Sequence, residues 1–349
     1  MASSFRIRPI DVPAASTSVA TGINDSGQVV GGYSASGHFL NAGFLYSGGT
    51  VIAINVGGSR STRIVGISGT GQVAGSYVDA TGRQHSFLYT NGNYTTIDPA
   101  GAVSDSPVAI NFAGEVAGQF TDARGSHAYL YNRGTFSTID VAGAVSTGAT
   151  ALNTSGELLG TWYDANHHEH AYVDVRGKIT TIAPAQAVDT VPITVNDLGL
   201  AIGNYTDSSG KHHGFSFFNG RTTTLDVPGA ASTQLVATNS TGEIVGDATG
   251  ANGTQSAFTY LNGKFTQIPI AGASWAQVEG VNDSGQVVGN YETPGSGLHG
   301  FVYSGGAVKT LDVPGASSTE LLGISNTGQV VGAYVVGTSP LFHAFTATV

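Results

Sequence analysis

One twelve-residue segment occurs eight times in this chain of 349 residues, at a nearly constant spacing. It reads GINDSGQVVGGY at positions 22–33 and returns as GVNDSGQVVGNY at 280–291 and GISNTGQVVGAY at 323–334. The glycine of its turn falls at positions 27, 71, 114, 156, 199, 242, 285 and 328, a step of 42 to 44 residues. A fixed period of this length is typical of proteins built from repeated copies of one structural unit.

Each repeat contains four short runs of strand-forming residues. The first run ends in Ile-Asn, a turn such as NDSG leads into the QVVGxY run, and runs like HAFLY and TTIDVPG follow. Asn, Asp, Ser and Gly favour tight turns, whereas β-branched and aromatic residues favour strands. With 51 glycines and only 10% charged residues, the composition also favours short strands over helices. Four antiparallel strands in a repeat of this length are typical of one blade of a β-propeller.

The two ends of the chain indicate that the ring of blades is closed. Residues 5–12, FRIRPIDV, match the fourth-strand run VKTLDVPG at 308–315, and the last repeat stops at HAFTATV after its third strand. An open solenoid would need distinct caps, which the sequence lacks. We therefore predict an all-β, eight-bladed β-propeller of four-stranded antiparallel blades. It forms a single domain over residues 1–349, and residues 5–12 complete the last blade.

Charge and composition exclude several classes of function. The net charge is −10 and the 13 Lys and Arg residues form no cluster, which disfavours nucleic acid and anionic membranes as partners. No apolar run is long enough for a membrane span. Without cysteine the chain forms no disulfide and has no thiol nucleophile, and it contains no GxSxG, P-loop or dinucleotide-binding motif. We expect a monomer.

The repeats resemble those of the HAF repeat family, bacterial proteins described as probable extracellular repeat proteins. The resemblance rests on the Ile-Asn-x-x-Gly element and on His-(Ala/Gly/Ser)-(Phe/Tyr), as in HSF at 85, HAY at 127 and 170, HGF at 213 and 299, and HAF at 343. Blades 1 and 6 depart from it, with AGF at 42 and SAF at 256. The resemblance implies secretion or surface display but no catalytic residues. Because the start, MASSFRIRPIDVP, has no apolar segment, we expect that any signal peptide is absent from this sequence.

The repeated histidine begins the third strand and is followed thirteen residues later by an aspartate that ends the fourth. Antiparallel pairing would place the two side chains next to each other. In blades 1 and 6 both residues are lost together, as expected for a structural hydrogen bond in which neither partner is useful alone. The predicted pairs are His85 with Asp98, His127 with Asp140, His213 with Asp226, His299 with Asp312, and His343 with Asp11 of the closing strand.

A functional site is expected where blades carry polar residues that the other repeats lack. In a propeller, ligands most often bind at the channel mouth, formed by the starts of the first strands and the loops between strands two and three. The first candidate lies in blades 4 and 5, where His170 faces Ala183 instead of Asp. No cofactor is required, but these side chains could bind Zn²⁺ or Ca²⁺; a solvated polar loop is the alternative, since no HExxH spacing occurs. The predicted ligands are Asp164, His168, His170 and His212, with His167, Asp207 and Lys211 nearby.

Two further candidates lie at the starts of first strands. SWAQVEG in blade 7 offers an aromatic platform, an amide and an acid. Blade 6 adds a second amide and blade 8 a second acid, and the two acids could act as a general acid/base pair. SRSTR in blade 2 offers two cations for an anionic ligand. Packing between blades and a surface salt bridge are the respective alternatives. The predicted ligand-binding residues are Trp275, Gln277, Gln234, Arg60 and Arg63, and the predicted acid/base pair is Glu279 and Glu320.

The function that these observations favour is an extracellular or surface propeller that binds a glycan, a peptide or another small ligand at the channel mouth. A hydrolase or lyase with its active site on the same face, using acid/base or metal-assisted chemistry, is the first alternative. A structural or adhesive repeat protein is the second. No motif in the sequence specifies a reaction.

Overall fold

The computed structural model describes residues 5–37 and 39–349. Within them the chain forms 32 strands in eight four-stranded antiparallel sheets, and no helix. Each innermost strand contacts the innermost strand of the next blade, and the last contacts the first, so the sheets form a closed ring. The prediction of an eight-bladed β-propeller is therefore confirmed.

The inner half of each blade surrounds the central channel. The innermost strands are β2 (Thr17–Ile23), β6 (Ser61–Ile67), β10 (Ser104–Ile110), β14 (Ser146–Leu152), β18 (Ala187–Val195), β22 (Ser232–Thr238), β26 (Trp275–Val281) and β30 (Ser318–Ile324). The second strands are β3 (Val29–Ser34), β7 (Val73–Val78), β11 (Val116–Asp122), β15 (Leu158–Tyr163), β19 (Ala201–Asp207), β23 (Ile244–Thr249), β27 (Val287–Glu292) and β31 (Gln329–Val335).

The outer half of each blade forms the rim of the ring. The third strands are β4 (Ala42–Ser47), β8 (Gln84–Thr90), β12 (Gly125–Asn132), β16 (Glu169–Val175), β20 (His212–Phe218), β24 (Gln255–Leu261), β28 (Leu298–Ser304) and β32 (His343–Thr348). The outer strands are β5 (Thr50–Ile54), β9 (Asn93–Thr96), β13 (Thr135–Ile139), β17 (Lys178–Ile182), β21 (Arg221–Leu225), β25 (Lys264–Gln267), β29 (Ala307–Leu311) and, for the last blade, β1 (Arg6–Pro9).

The N-terminal strand closes the ring as predicted. β1 pairs antiparallel with β32, with Arg6 opposite Thr348 and Pro9 opposite Phe345. Beyond the strand, the N–H of Ile10 donates to the carbonyl of Ala344 at 2.9 Å, and the Ile10 side chain is buried between the last blade and the first. Pairing covers the edge of the last sheet and ties the N-terminal segment to the C-terminal strand.

The core lies between blades and explains two elements of the repeat. The third residue of the His-x-(Phe/Tyr) element, or of its counterparts AGF and SAF in blades 1 and 6, is aromatic and fully or almost fully buried in every blade. Its ring lies against the glycine of the second strand. A side chain on that glycine would overlap both the ring and a carbonyl of the innermost strand. The glycine and aromatic pairs are Gly31 with Phe44, Gly75 with Phe87, Gly118 with Tyr129, Gly160 with Tyr172, Gly203 with Phe215, Gly246 with Phe258, Gly289 with Phe301 and Gly332 with Phe345.

The asparagine of the Ile-Asn element links neighbouring blades at the face opposite the predicted mouth. The Asn196 side chain donates to the carbonyl of Asn239 at 2.7 Å, and Asn239 donates to that of Asn282 at 2.9 Å. The side-chain oxygen of Asn196 accepts two N–H groups of its own turn. The element therefore has a structural role. No helix in the described residues is long and apolar enough to cross a membrane.

Candidate functional site

A β-bulge in each innermost strand places one residue on the channel wall, outside the regular pairing. In blade 7 this residue is Glu279, because Val278 pairs with Gly289 and Gly280 with Val288. Glu279 is the charged member of a ring that is otherwise aliphatic or hydroxylated. The other members are Thr21, Val65, Val108, Thr150, Ile193, Val236 and Leu322.

A second ring, nearer the mouth, contains four of the predicted site residues. They occupy one position of the repeat, each opposite a residue of the second strand: Gln234 lies opposite Asp247, Gln277 opposite Asn290 and Glu320 opposite Ala333. The fourth is Arg63, opposite Ser76 in blade 2. Trp275 is the first residue of β26 and precedes Gln277 by two positions, so both lie on one side of the strand. The structure thus brings the blade 6 to 8 candidates together on adjacent strands.

Three carboxyl groups interact electrostatically on blades 6 to 8. Burial raises the pKa of Glu279 above its usual range, the Asn290 amide, 3.3 Å from Oε1, opposes this, and the charge of Glu320 adds to it. Burial also raises the pKa of Glu320. The third group is Asp247, whose pKa burial raises to about 7, against a hydrogen bond from the Val278 N–H and with a contribution from the charge of Glu279. Near neutral pH Asp247 is therefore partly protonated, and Glu279 and Glu320 keep their protons to higher pH than exposed glutamates do.

Asp247 was missing from the sequence prediction. The prediction compared the starts of the first strands, whereas Asp247 lies on a second strand. Asn204 and Asn290 occupy the same position in blades 5 and 7, and each bridges to the next blade: Asn290 accepts the Leu321 N–H at 2.8 Å and donates to the Leu321 carbonyl at 3.0 Å. Asp247 accepts the Val278 N–H at 3.1 Å but, when ionised, has no proton to donate. The GDA of blade 6 against the GNY of its neighbours was the available signal.

We expect Asp247→Asn to stabilise the protein at pH 8 by about 2 kcal/mol and to change little at pH 4. The pKa of Asp247 in the folded state, about 7, is above its ordinary value of 3.8. The native state therefore keeps a proton that the unfolded chain releases, and the stability that this provides below pH 4 is lost as pH rises through 7. Urea unfolding at both pH values measures the difference. Asn290→Asp is the reciprocal control and should create the same pH dependence in blade 7; equal gains at both pH values would refute the assignment.

The two predicted arginines take different positions. Arg60 Nη2 donates to the carbonyl of Ala80 at 2.5 Å, which fixes Arg60 against the loop of its own blade. Arg63 is exposed and lines a cavity of about 850 Å³ at blades 1 to 3, with the bulged residues Thr21, Val65 and Val108. Of the two arginines, Arg63 therefore lines the cavity at blades 1 to 3, whereas Arg60 is bonded to the loop of its own blade.

The histidines of blades 4 and 5 are only partly brought together. His170 Nε2 lies 3.3 Å from Asp164 Oδ2, His168 Nδ1 lies 3.4 Å from Asp189 Oδ1, and His212 Nδ1 contacts the Thr206 hydroxyl at 3.1 Å. In the described part of the chain, three ligand atoms suited to one ion approach within 4.8 Å of each other at His85, Asp98 and Asp105. The Zn²⁺ or Ca²⁺ site in blades 4 and 5 remains a prediction.

The repeated histidines bind their aspartates as predicted in four blades. The distances from histidine Nδ1 to the carboxylate are 2.6 Å for His85–Asp98 and His127–Asp140, 2.7 Å for His213–Asp226 and 2.8 Å for His299–Asp312. His343 and Asp11 line one cleft, but no hydrogen bond joins them in the described structure. Each ring also contacts the aromatic residue of the second strand, as in the stacked pair Tyr205–His213 with centroids 4.7 Å apart. These contacts favour a structural role.

In three blades a second carboxylate approaches the other ring nitrogen. Nε2 of His85, His127 and His213 lies 3.3, 3.1 and 3.2 Å from the aspartate that begins the preceding turn. These aspartates also stabilise their turns, because each accepts a backbone N–H from the residue two positions further along. Hydrogen bonds from Thr81, Arg124 and Ser209, respectively, are the largest causes that lower their pKa values. The three aspartates are Asp79, Asp122 and Asp207.

Comparison with known proteins shows the fold. No family model matches the chain, and no curated protein matches it. The β-propeller domain of the Trilobed protease from Pyrococcus furiosus, described as having an open velcro topology, aligns with 83% of this chain and 94% of that chain, at 11% identity and a TM-score of 0.56.

Two longer peptidase chains also align. A structure from a study of two prolyl endopeptidases covers 92% of this chain at 13% identity and a TM-score of 0.63, and dipeptidyl peptidase 4 of Porphyromonas gingivalis covers 94% at 11% identity and a TM-score of 0.64. The alignments include only 54% and 58% of those chains. At this identity the likeness shows the fold alone: the chain is an eight-bladed β-propeller similar to the propeller domains of solved peptidases.

Proposed function

We propose that this propeller binds a peptide segment at the channel mouth and holds a cationic group of that segment against blades 6 to 8. The observation that carries the proposal is the cluster of Asp247, Glu279 and Glu320. Burial raises the pKa of each of the three groups, and charge interactions connect Glu279 with the other two. A ligand cation would stabilise their ionised forms and so offset the cost of holding carboxylates in a partly dry site.

The opposite side of the mouth has the opposite charge. Blade 2 lies across the ring from blade 6, and its exposed Arg63 lines the cavity of about 850 Å³ at blades 1 to 3. A ligand with a cationic and an anionic end would therefore meet a carboxylate cluster on one side and a guanidinium on the other. A peptide has this character, and its backbone could also use the amides of Gln234 and Gln277.

The comparisons support a peptide as the ligand, and the sequence supports a location at or outside the cell surface. Propellers of prolyl endopeptidase and dipeptidyl peptidase 4 structures share the fold, and those proteins are named for action on peptides. By the HAF resemblance, we further propose that the protein is secreted or displayed at the cell surface. Fractionation of the source cells, with the protein found in the cytoplasm alone, would contradict that location.

A fluorescence titration tests the binding proposal. The two tryptophans are Trp162 and Trp275, and Trp162→Phe leaves Trp275 as the reporter at the mouth; Phe120 occupies the same position in blade 3. In this background we expect the tripeptide Ala-Lys-Ala to bind at least about tenfold more tightly than Ala-Glu-Ala, a difference of about 1.4 kcal/mol. Affinity for Ala-Lys-Ala should rise from pH 5 to pH 8 as Asp247, whose pKa burial raises to about 7, ionises.

Glutamate variants locate the binding site. Glu279→Gln and Glu320→Gln should each remove most of the preference for the lysine peptide. Glu243→Gln is the matched control, because Glu243 is also half-buried with its pKa raised by burial, but it lies beside the turn at the far end of blade 6. Equal affinity for both tripeptides, or equal effects of all three variants, would contradict the proposal.

A hydrolase is the second candidate function. The observation that favours it is the same cluster, since a carboxyl group whose pKa burial raises to about 7, such as Asp247, can donate a proton at neutral pH. Mass spectrometry of the peptide mixtures after the titration distinguishes the two functions. Cleavage of the peptides that Glu279→Gln abolishes would support the hydrolase. Peptides that bind to the protein but are recovered intact would support the binding protein.

A further inference from the structure

Blade 3 departs from the repeat at a buried position of its innermost strand. Asp105 stands where the other blades carry Thr, Ser or Ala. In blades 2, 4, 6 and 8 the threonine hydroxyl accepts the N–H of a valine after the preceding fourth strand, as Thr62 does from Val56 at 3.1 Å. The corresponding residue before blade 3 is Pro99, which has no N–H. Asp105 therefore has a different set of partners.

Two carboxylate oxygens at this place are buried without a hydrogen-bond partner. Asp105 is 2% exposed; its Oδ1 accepts the Ser86 N–H at 2.7 Å, and its Oδ2 has no partner in the described structure. Asp98 Oδ2 lies 2.6 Å from His85 Nδ1, and Asp98 Oδ1 has no hydrogen-bond partner in the described structure either. A buried carboxylate oxygen that accepts no hydrogen bond is costly unless a proton or a metal ion binds it.

The charged groups around these oxygens have a net charge of about −2, which one divalent cation would neutralise. Asp79, Asp98 and Asp105 are the carboxylates, and the cation beside them is Arg83, whose Nη2 lies 3.4 Å from Asp98 Oδ2 and donates to the Ala102 carbonyl at 2.8 Å. Three carboxylates and one guanidinium, with a neutral imidazole, have two net negative charges. Burial is the largest cause that raises the pKa of Asp105 to about 6, and the negative charge of Asp98 adds to it.

The imidazole of His85 is already oriented as a metal ligand. Its Nε2 lies 3.3 Å from Asp79 Oδ2, and the Tyr77 ring stacks on it with centroids 4.9 Å apart. A carboxylate that accepts the proton of one imidazole nitrogen leaves the other nitrogen free to bind a metal, an arrangement that recurs at zinc sites. In blades 3 and 5 the same histidine and two aspartates occur, but Thr147 and Thr233 stand at the position of Asp105.

We propose that His85 Nδ1, Asp98 and Asp105 bind one divalent transition-metal ion, such as Zn²⁺, between blades 2 and 3. Imidazole with two carboxylates is a ligand set that Zn²⁺ accepts. The three ligand atoms all lie within 4.8 Å of each other, whereas tetrahedral bonds of about 2.1 Å place ligand atoms about 3.4 Å apart. Side-chain rotations that move these atoms by about an ångström would therefore bring them to bonding distance. Asp105 lines a cleft of about 420 Å³ with Gln84 and Ser126, through which an ion can enter.

The chain offers a matched variant for the test. In blade 1 the hydroxyl of Ser18, at the position of Asp105, accepts the N–H of Ala344 at 3.0 Å, just as Asp105 accepts that of Ser86. Asp105→Ser therefore keeps this hydrogen bond and removes the second oxygen. Asp79→Asn keeps the side-chain oxygen that accepts the N–H groups of its turn but removes the negative charge next to His85 Nε2. His168→Ala controls for binding at the histidines of blades 4 and 5.

The experiment measures Zn²⁺ per chain by elemental analysis after loading and desalting, Zn²⁺ affinity by calorimetry, and Tm with Zn²⁺ or with EDTA. For the unaltered protein and His168→Ala we expect one Zn²⁺ per chain and a Tm that EDTA lowers. Asp105→Ser should bind at least about 100-fold more weakly, and Asp79→Asn about tenfold more weakly. A metal-free unaltered protein, or equal Zn²⁺ binding by Asp105→Ser, would overturn the proposal; in the first case a shared proton is the occupant of the site.

Discussion

Removal of residues 1–12 is expected to lower Tm by about 10 °C or more, because it opens the ring and exposes one face of the core. Ile10 and Val12 are 3% and 9% exposed and pack with Phe44 and Val331 across the junction of the first and last blades. Burial of two such side chains contributes about 3 to 6 kcal/mol, which is a large part of the net stability of a typical domain. The hydrogen bonds between β1 and β32 are lost in addition. Differential scanning calorimetry measures the change.

Two controls separate ring closure from a general effect of truncation. Arg8→Ala removes an exposed side chain from β1 but keeps the strand, and it should leave Tm within about 2 °C of the starting value. A synthetic peptide of residues 5–15, added to the truncated protein, should restore part of the lost Tm, because it supplies the missing strand. A truncated protein that melts at the original temperature would show that closure contributes little.

Gly289→Ala is expected to destabilise the protein by about 3 kcal/mol or more. A Cβ at this position would overlap the carbonyl oxygen of Gln277 and lie 2.7 Å from the Phe301 ring. The carbonyl belongs to the innermost strand of the same blade, so relief requires a shift of the backbone rather than a rotation of a side chain. Urea unfolding, with the midpoint compared at constant slope, measures the loss.

Gly280→Ala in the same blade is the matched control. A Cβ there would meet only the Ile324 side chain, at an ordinary contact distance of 3.9 Å. Its effect should lie near zero or be slightly stabilising, since alanine restricts the unfolded chain more than glycine does. Equal effects of the two substitutions would mean that the close approach at Gly289 does not explain why every blade has glycine there.

The candidate site was only partly predictable from the sequence. Subtraction of the repeat pattern identified Glu279, Glu320 and Gln277, because a charged or amide side chain at a position that is usually aliphatic or small is visible in the sequence itself. It missed Asp247, whose importance depends on the charge of Glu279 and on burial between two blades. It also missed Asp105, because the loss of the N–H at Pro99 matters only once the two residues are known to lie at one interface.

The sequence by itself determined the architecture of this protein. Eight copies of one four-strand unit, each with an apolar sheet to bury, can satisfy one another only by packing in series, and a fourth-strand run at the N-terminus can pair only with the incomplete last repeat. The tertiary structure decided which polar side chains share a site. Contacts between blades join residues about 43 positions apart or, at the junction of the last and first blades, more than 300 positions apart. Their geometry, burial and charge interactions exist only when the ring has closed, so no local pattern records them.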